Sequence, residues 1–134
     1  MSLPDKKTFP KIVLIVEDDG AVAKVIKDYL VPEGYAVLSE RTGEEAMEAL
    51  TRIKDGVVLL DLGLPDVDGL ELLWKIKIAK PSTHVIVVTG SHDEVKGRRA
   101  MELGAWDYVT KPIDFAYLKN ILKLLLSDEK VPNG

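Results

Sequence analysis

The chain alternates between short, continuous apolar runs and longer segments whose apolar residues recur at helical spacing. The short runs are rich in β-branched residues, which predicts strands buried on both faces. They are residues 12–16, 35–38, 57–60, 85–88 and 105–109. After each run, apolar residues three and four positions apart predict an amphipathic helix. The pattern therefore predicts five strand-helix repeats.

Capping residues mark where several of these helices begin. Thr42 and Glu45 have the spacing of a capping box, in which each side chain accepts a free backbone N–H of the first turn. Ser91 and Glu94 repeat that spacing before the fourth helix, and a further residue, Asp114, can cap the fifth. The third helix is predicted from its apolar positions, which are Leu70, Leu73, Trp74 and Ile76.

Strict alternation of strand and helix predicts an α/β fold with a parallel sheet, because parallel neighbours need a crossover about one helix long. We expect a flavodoxin-like (βα)5 doubly wound sandwich of strand order 2-1-3-4-5, with helices on both faces. Residues 11–126 form this domain, between an N-terminal extension, 1–10, and a polar C-terminal tail, 127–134. In such sheets ligands bind beyond the carboxyl ends of the strands where strand order reverses, between strands one and three.

Acidic side chains follow both of these strands. Glu17, Asp18 and Asp19 come directly after the first strand, and Asp61 ends the third. Two carboxylates about 4 Å apart repel by roughly 4 kcal/mol at an effective dielectric constant near 20, so the group cannot stay ionised without positive charge. An oxygen-rich site with few carboxylates, open to water, suits Mg²⁺ better than Ca²⁺. We therefore expect a magnesium site at this edge.

Two further side chains reach the same edge. Thr89 ends the fourth strand and Lys111 follows the fifth. A divalent metal beside a carboxylate, opposite a lysine and near a hydroxyl, is the usual equipment for stabilising charge in phosphoryl transfer. Asp61 could then act as the nucleophile and form an acyl phosphate.

Each of these residues alone has a simpler explanation. Asp18 or Asp19 could cap the first helix, Thr89 could be an ordinary strand-end hydroxyl, and Lys111 a solvated lysine. Asp61 is harder to explain in this way, because a carboxylate that ends four buried apolar residues is costly unless it is paired or coordinated. The set as a whole therefore favours a functional site.

Composition narrows the class of protein. The 134 residues suit one domain with one core, and 18 basic against 22 acidic residues give a net charge of −4, so no positive field for nucleic acid is expected. Cysteine is absent, which excludes a disulfide framework and a thiolate metal site. No stretch approaches the roughly 20 apolar residues of a membrane span, and residues 1–10 lack the apolar run of a secretory signal. A cytoplasmic protein without membrane contact is the expectation.

Four segments, taken in order and at strand ends, resemble the receiver (REC) domain family of two-component response regulators. They are Val-Glu-Asp-Asp at 16–19, Leu-Leu-Asp-Leu-Gly-Leu-Pro-Asp-Val-Asp-Gly at 59–69, Thr-Gly at 89–90 and Lys-Pro at 111–112. The resemblance covers about residues 11–126. It implies a signalling switch that catalyses only its own phosphorylation and dephosphorylation.

The resemblance also implies roles for the acidic residues. Asp61 would accept a phosphoryl group from a sensor histidine kinase or a phosphotransfer protein. Asp18, Asp61 and the carbonyl of Gly63 would hold Mg²⁺, with Glu17 acting through a water molecule and Asp19 as the less favoured ligand. Here Glu17 replaces the aspartate commoner in the family.

Three residues would complete the switch. Lys111 matches the lysine that pairs with the phosphoryl oxygens, and the Lys111-Pro112 bond matches a cis peptide of the family. Thr89 matches the switch hydroxyl, and Tyr108 the aromatic ring that rotates inward after it. The face of the fourth helix, fifth strand and fifth helix would then bind an output domain or target protein, or a second copy as a homodimer, through a population shift.

Rival functions fit the sequence less well. Residues 66–69 match the Asp-x-Asp-Gly segment of haloacid-dehalogenase-type Mg-dependent phosphatases, but that segment should directly follow a buried strand and continue with threonine. The same residues lack the closing glutamate of an EF-hand, and no glycine-rich nucleotide loop follows a strand. His84 and His92 are too few for a zinc site. The remaining alternative is a receiver-like interaction platform that is not phosphorylated, which the residues at positions 18, 61, 89 and 111 disfavour.

Overall fold

A five-stranded parallel sheet forms the centre of the molecule. The computed structural model describes residues 11–90 and 93–126. The strands are β1 (Lys11–Val16), β2 (Tyr35–Glu40), β3 (Gly56–Leu60), β4 (His84–Thr89) and β5 (Asp107–Thr110). Their order is β2-β1-β3-β4-β5 and every neighbouring pair is parallel, which confirms the predicted doubly wound fold.

A helix follows each strand along the chain. The helices are α1 (Gly20–Leu30), α2 (Gly43–Leu50), α3 (Gly69–Ala79), α4 (Glu94–Glu102) and α5 (Phe115–Leu126), and a single 3-10 turn, Val31–Glu33, follows α1. No helix within 11–90 and 93–126 combines the length and the apolar character that crossing a bilayer requires.

The central strands are apolar on both faces because each face packs against a different set of helices. Leu14, Val58 and Val87 lie in the core that α2, α3 and α4 cover. Their neighbours along the chain, including Ile15 and Leu59, lie in the core that α1 and α5 cover. Alternation along β1, β3 and β4 therefore supplies two cores, and the sheet between them holds its carboxyl edge rigidly.

Two helix starts differ in detail from the prediction. α4 begins at Glu94 with Asp93 as its N-cap, whose side chain accepts from the backbone N–H groups of Val95 and Lys96; the predicted cap at position 91 lies outside the described residues. At α2, Thr42 Oγ1 accepts the N–H of Glu45 as predicted, at 3.1 Å. The Glu45 side chain, however, accepts the N–H of the residue before Thr42, Arg41, so the capping box is shifted by one position.

The fifth strand and the third helix also depart from the simple pattern. β5 begins at Asp107 and not at Ala105, because the N–H of Ala105 still bonds to Ala100 at the end of α4. In α3 the buried apolar positions are Leu72, Leu73 and Ile76, while Trp74 is 51% exposed. Apolar spacing alone does not identify which of two adjacent bulky residues faces the sheet.

Replacing Gly97 with alanine is expected to raise the free energy of unfolding by about 0.5–1 kcal/mol, because glycine is a poor residue for a helix interior. Gly97 lies within α4, and an added Cβ would meet nothing closer than the Tyr108 ring at 3.5 Å, an ordinary contact. Urea unfolding of the two proteins measures the difference. An unchanged or lower value for the variant would show that α4 does not keep its helical geometry around this residue.

Candidate functional site

Acidic side chains meet where β1 and β3 end side by side. Val16 and Leu60 are in register, so the residues that follow them emerge together, and the N–H of Asp61 donates to the carbonyl of Val16 at 2.9 Å. One carboxylate oxygen from each of Glu17, Asp18 and Asp61 lies within 4.8 Å of the other two. The structure thus brings together three of the acidic residues that the sequence singles out.

Lys111 reaches this cluster from the other side of β3. Its backbone N–H donates to the carbonyl of Thr89 at 2.8 Å, which fixes the loop after β5 beside the end of β4. Its ammonium donates to Glu17 Oε1 at 2.7 Å and to Asp61 Oδ2 at 3.3 Å. The Lys111-Pro112 peptide is cis, as the resemblance implies.

The charges of the cluster are unbalanced. Burial raises the pKa of Glu17, which is only 3% exposed, although the bond from Lys111 acts in the opposite direction. Burial alone would lower the pKa of Lys111, but Glu17 and Asp61 outweigh it and raise that pKa above its ordinary value. One ammonium facing three carboxylates leaves net negative charge, and all the donor atoms are oxygens, so the site fits a hard divalent cation such as Mg²⁺.

Asp19, the less favoured ligand, has a structural role. Its side chain caps α1 by accepting the backbone N–H groups of Ala21, at 2.9 Å, and Val22, at 3.3 Å. Its own N–H donates to Glu17 Oε2 at 3.1 Å, which helps to hold that buried carboxylate in place. Asp19 therefore positions Glu17 and the start of α1, and it is not part of the three-carboxylate cluster.

The remaining predicted residues lie around this cluster. The N–H of Gly63 donates to Asp61 Oδ1 at 3.1 Å, so the loop after β3 folds back over Asp61. Thr89 is buried at the end of β4, 4% exposed, next to the backbone of Lys111. Tyr108 is half-buried in β5, with its ring against α4 at Gly97, so a movement of the ring and one of α4 would affect each other.

Two residues near the site were not predicted from the sequence. Arg41 donates from Nε and Nη2 to the carbonyl oxygen of Asp18, at 3.2 and 2.9 Å. Asp66 accepts the N–H of Gly43 at 2.8 Å and that of Glu44 at 3.1 Å. Both contacts join segments more than 20 positions apart, with a backbone atom as one partner, so no local motif could have indicated them.

The Asp66 contact predicts a change in acid stability. The N–H of Gly43, with that of Glu44, holds the pKa of the Asp66 carboxyl below its usual value of 3.8. A lowered pKa means that the ionised group stabilises the fold above pH 3.8 and that this contribution is lost as the pH falls through the lower, folded-state pKa. The gap in unfolding free energy between wild type and Asp66→Asn should therefore narrow at acid pH.

Urea unfolding between pH 7 and pH 3 measures this gap. Glu44→Gln is the matched control, because it removes a neighbouring carboxylate and leaves the N–H that Asp66 accepts. Parallel curves for wild type and Asp66→Asn over the whole range would contradict the prediction.

Comparison with known proteins agrees with this geometry. The response regulator receiver domain family matches residues 13–123 of the chain. The chain belongs to this family of two-component signalling domains.

Individual relatives support the same assignment. The cell cycle transcriptional regulator CtrA of Caulobacter vibrioides is 39% identical over 101 residues, 75% of this chain and 43% of CtrA. The chain spans about half the length of the curated relatives it matches.

Solved structures share the fold over nearly their full length. A CheY-like response regulator receiver domain protein from Methanospirillum hungatei is 32% identical with a TM-score of 0.84, over 90% of this chain and 96% of that one. The Mn(2+)-bound form of response regulator Rcp1 is 28% identical with a TM-score of 0.74, over 92% of this chain and 99% of its own.

Proposed function

We propose that this domain is the phosphoacceptor switch of a two-component phosphorelay and that Asp61 takes the phosphoryl group. The supporting observation is the convergence of Glu17, Asp18 and Asp61 with the ammonium of Lys111 at the carboxyl edge of the sheet. Of the two carboxylates that Lys111 contacts, Asp61 is the better nucleophile. Its side chain is 11% exposed against 4% for Glu17, and the ammonium lies farther from it, at 3.3 Å against 2.7 Å.

The chemistry is a single displacement at phosphorus. A carboxylate oxygen of Asp61 forms the new P–O bond while the P–N bond of a donor phosphohistidine breaks. The electron pair of that bond stays on the imidazole nitrogen, which takes a proton from solvent. Lys111 already lies 3.3 Å from Asp61, so its ammonium is placed to donate to the oxygens of the incoming phosphoryl group.

Asp18, Asp61 and the carbonyl of Gly63 would hold Mg²⁺, with Glu17 acting through a water molecule. When bound, Mg²⁺ supplies positive charge that offsets the charges of the carboxylates and of the phosphoryl oxygens. The likeness to a Mn(2+)-bound response regulator supports a divalent cation here. Residues 11–126 would form the complete functional unit.

Signal output would follow from Thr89 and Tyr108. Thr89 would move towards the phosphoryl group, and the Tyr108 ring would follow inward and change the α4-β5-α5 face. An output domain or target protein, or a second copy, would bind that face.

The donor would be a sensor histidine kinase or phosphotransfer protein in the cytoplasm. We propose no reaction on other substrates, although one relative, of Thermotoga maritima, is named a cyclic di-GMP phosphodiesterase.

Acetyl phosphate tests the proposal directly, since it can replace the kinase as donor. The wild-type protein should gain one phosphoryl increment in intact mass when Mg²⁺ is present. The increment should be absent with excess chelator and should be removed by hydroxylamine, which cleaves acyl phosphates. Asp61→Asn should gain nothing. Asp55→Asn, which changes an exposed aspartate before β3, should behave as the wild type.

A folded wild type that stays unmodified under all of these conditions would overturn the proposal. The chain would then fit a receiver-like interaction platform. Modification that persists in Asp61→Asn would place the acceptor elsewhere.

A further inference from the structure

The segment that joins β2 to α2 and begins α2, residues 41–44, contacts both of the loops that carry the proposed metal ligands. We propose that this segment braces the site, and that Arg41 and Asp66 are positioning residues for Mg²⁺. The inference rests on the proposed function, because it concerns the same metal site. The three clustered carboxylates, Glu17, Asp18 and Asp61, all lie outside this segment.

Arg41 holds the loop after β1. β1 and β2 are paired in register up to Val16 and Glu40, and the N–H of Glu17 donates to the Glu40 carbonyl at 3.0 Å. Arg41 is therefore the first residue beyond the paired strands, level with Glu17, and its side chain reaches the next residue, Asp18. Its guanidinium donates two hydrogen bonds to the Asp18 carbonyl, from Nε at 3.2 Å and from Nη2 at 2.9 Å. The planar guanidinium holds these two donors in a fixed fork. This fork fixes the backbone from which the Asp18 carboxylate reaches the cluster.

Asp66 holds the loop after β3, which carries Gly63. Each of its carboxylate oxygens accepts one N–H from the start of α2, at Gly43 and at Glu44. The approach is close: a Cβ added at Gly43 would lie 2.4 Å from Cγ1 of Val67. The loop after β3 is thus packed against α2 as well as hydrogen-bonded to it.

Together these contacts set the distance between two ligand-bearing loops. Asp18 lies on the loop after β1. Gly63, whose N–H donates to Asp61, lies on the loop after β3. Mg²⁺ demands nearly ideal octahedral geometry, so a small shift of either loop weakens binding. Residues that orient metal ligands commonly change metal affinity by about 10- to 100-fold. A more remote brace should have a smaller effect, about three- to tenfold by the same principle.

Electrostatics distinguishes bracing from a simple charge effect. Arg41→Gln removes a positive charge beside the site, which alone would tighten the binding of a cation. The bracing role predicts weaker binding by this variant. Asp66→Asn removes a negative charge, so Glu44→Gln serves as its charge-matched control. Arg52→Gln, in an exposed ion pair with Glu48, is the control for an arginine change.

The experiment titrates each protein with Mn²⁺ and follows the electron paramagnetic resonance signal of free Mn²⁺, and Mg²⁺ affinity is then measured by competition. Arg41→Gln and Asp66→Asn should bind both ions about three- to tenfold more weakly than their controls. Arg41→Lys keeps the charge but replaces the two donors of the fork with a single ammonium, so it should bind both ions more weakly than wild type. Thermal unfolding of the metal-free proteins should show all variants folded at the titration temperature.

The outcomes separate the two proposals. A wild type that binds neither ion, or whose binding survives Asp18→Asn, would overturn the proposed metal site and with it the brace. Normal wild-type binding that Asp18→Asn abolishes, with unchanged affinity in Arg41→Gln and Asp66→Asn, would overturn the brace alone. If Arg41→Gln does not fold, Arg41→Lys decides, since wild-type affinity in that variant would refute the role of the fork.

Discussion

Replacing Lys111 with methionine is expected to lower the free energy of unfolding by roughly 1–3 kcal/mol in the presence of a chelator. The change removes the positive charge that faces Glu17 and Asp61 and leaves their carboxylates in place. The ammonium lies between Glu17 and Asp61, whose side chains are only 4% and 11% exposed. The loss should be smaller than for a fully buried pair, since Lys111 itself is 24% exposed. Added Mg²⁺ should recover part of the stability. Urea unfolding with and without the metal measures both effects.

A second lysine provides the control. Lys75 lies 3.3 Å from Glu71, the same separation as between Lys111 and Asp61, but both side chains are about half exposed. Lys75→Met should therefore change the stability by less than about 0.5 kcal/mol, with no dependence on Mg²⁺. Equal losses in the two variants would contradict the prediction, since burial would then make no difference to the contribution of the ammonium.

The strand order could be predicted because the apolar signal in this sheet is strong. A central parallel strand has both faces buried, and residues 57–60 are accordingly all apolar and all buried. The ends of the strands are harder to predict from the sequence than their order. The end of β4 is predictable because a polar residue follows the apolar run. The start of β5 is not, because it depends on the last hydrogen bond of α4, at Ala105.

The location of the acidic cluster could be predicted because parallel strands end at one edge. That rule places Asp18, Asp61 and Lys111 together without any knowledge of side-chain geometry. It could not decide between Asp18 and Asp19, which depends on how α1 is capped. It also gave no indication of Arg41, whose partner is the backbone carbonyl of Asp18 and not another side chain. The roles of Thr89 and Tyr108 as the two residues of the switch stay predictions.

Replacing Gly69 with alanine should disturb both the fold and the phosphorylation of Asp61. A Cβ at this position would lie 2.3 Å from Cα and 2.6 Å from O of Leu62, and these are backbone atoms that cannot rotate away. Gly69 also donates its N–H to that carbonyl at 3.2 Å, so α3 starts pressed against the residue that follows Asp61. Overpacking of this kind costs roughly 1–3 kcal/mol of unfolding free energy.

To relieve this contact the backbone of Leu62 must move, and with it the neighbouring phosphoacceptor, Asp61. This displacement should slow phosphorylation from acetyl phosphate by about tenfold or more, because misplacement of a reacting group by about 1 Å is enough to do so. Gly63→Ala is the control for stability, since a Cβ there would meet only Asp61 Oδ1 at 3.9 Å. That variant should unfold within about 0.5 kcal/mol of wild type. Stability and phosphorylation rates are measured by urea unfolding and by intact mass over time. A Gly69→Ala protein with wild-type values in both would show that Leu62 can move without shifting Asp61, and the close contact would then have no part in placing the phosphoacceptor.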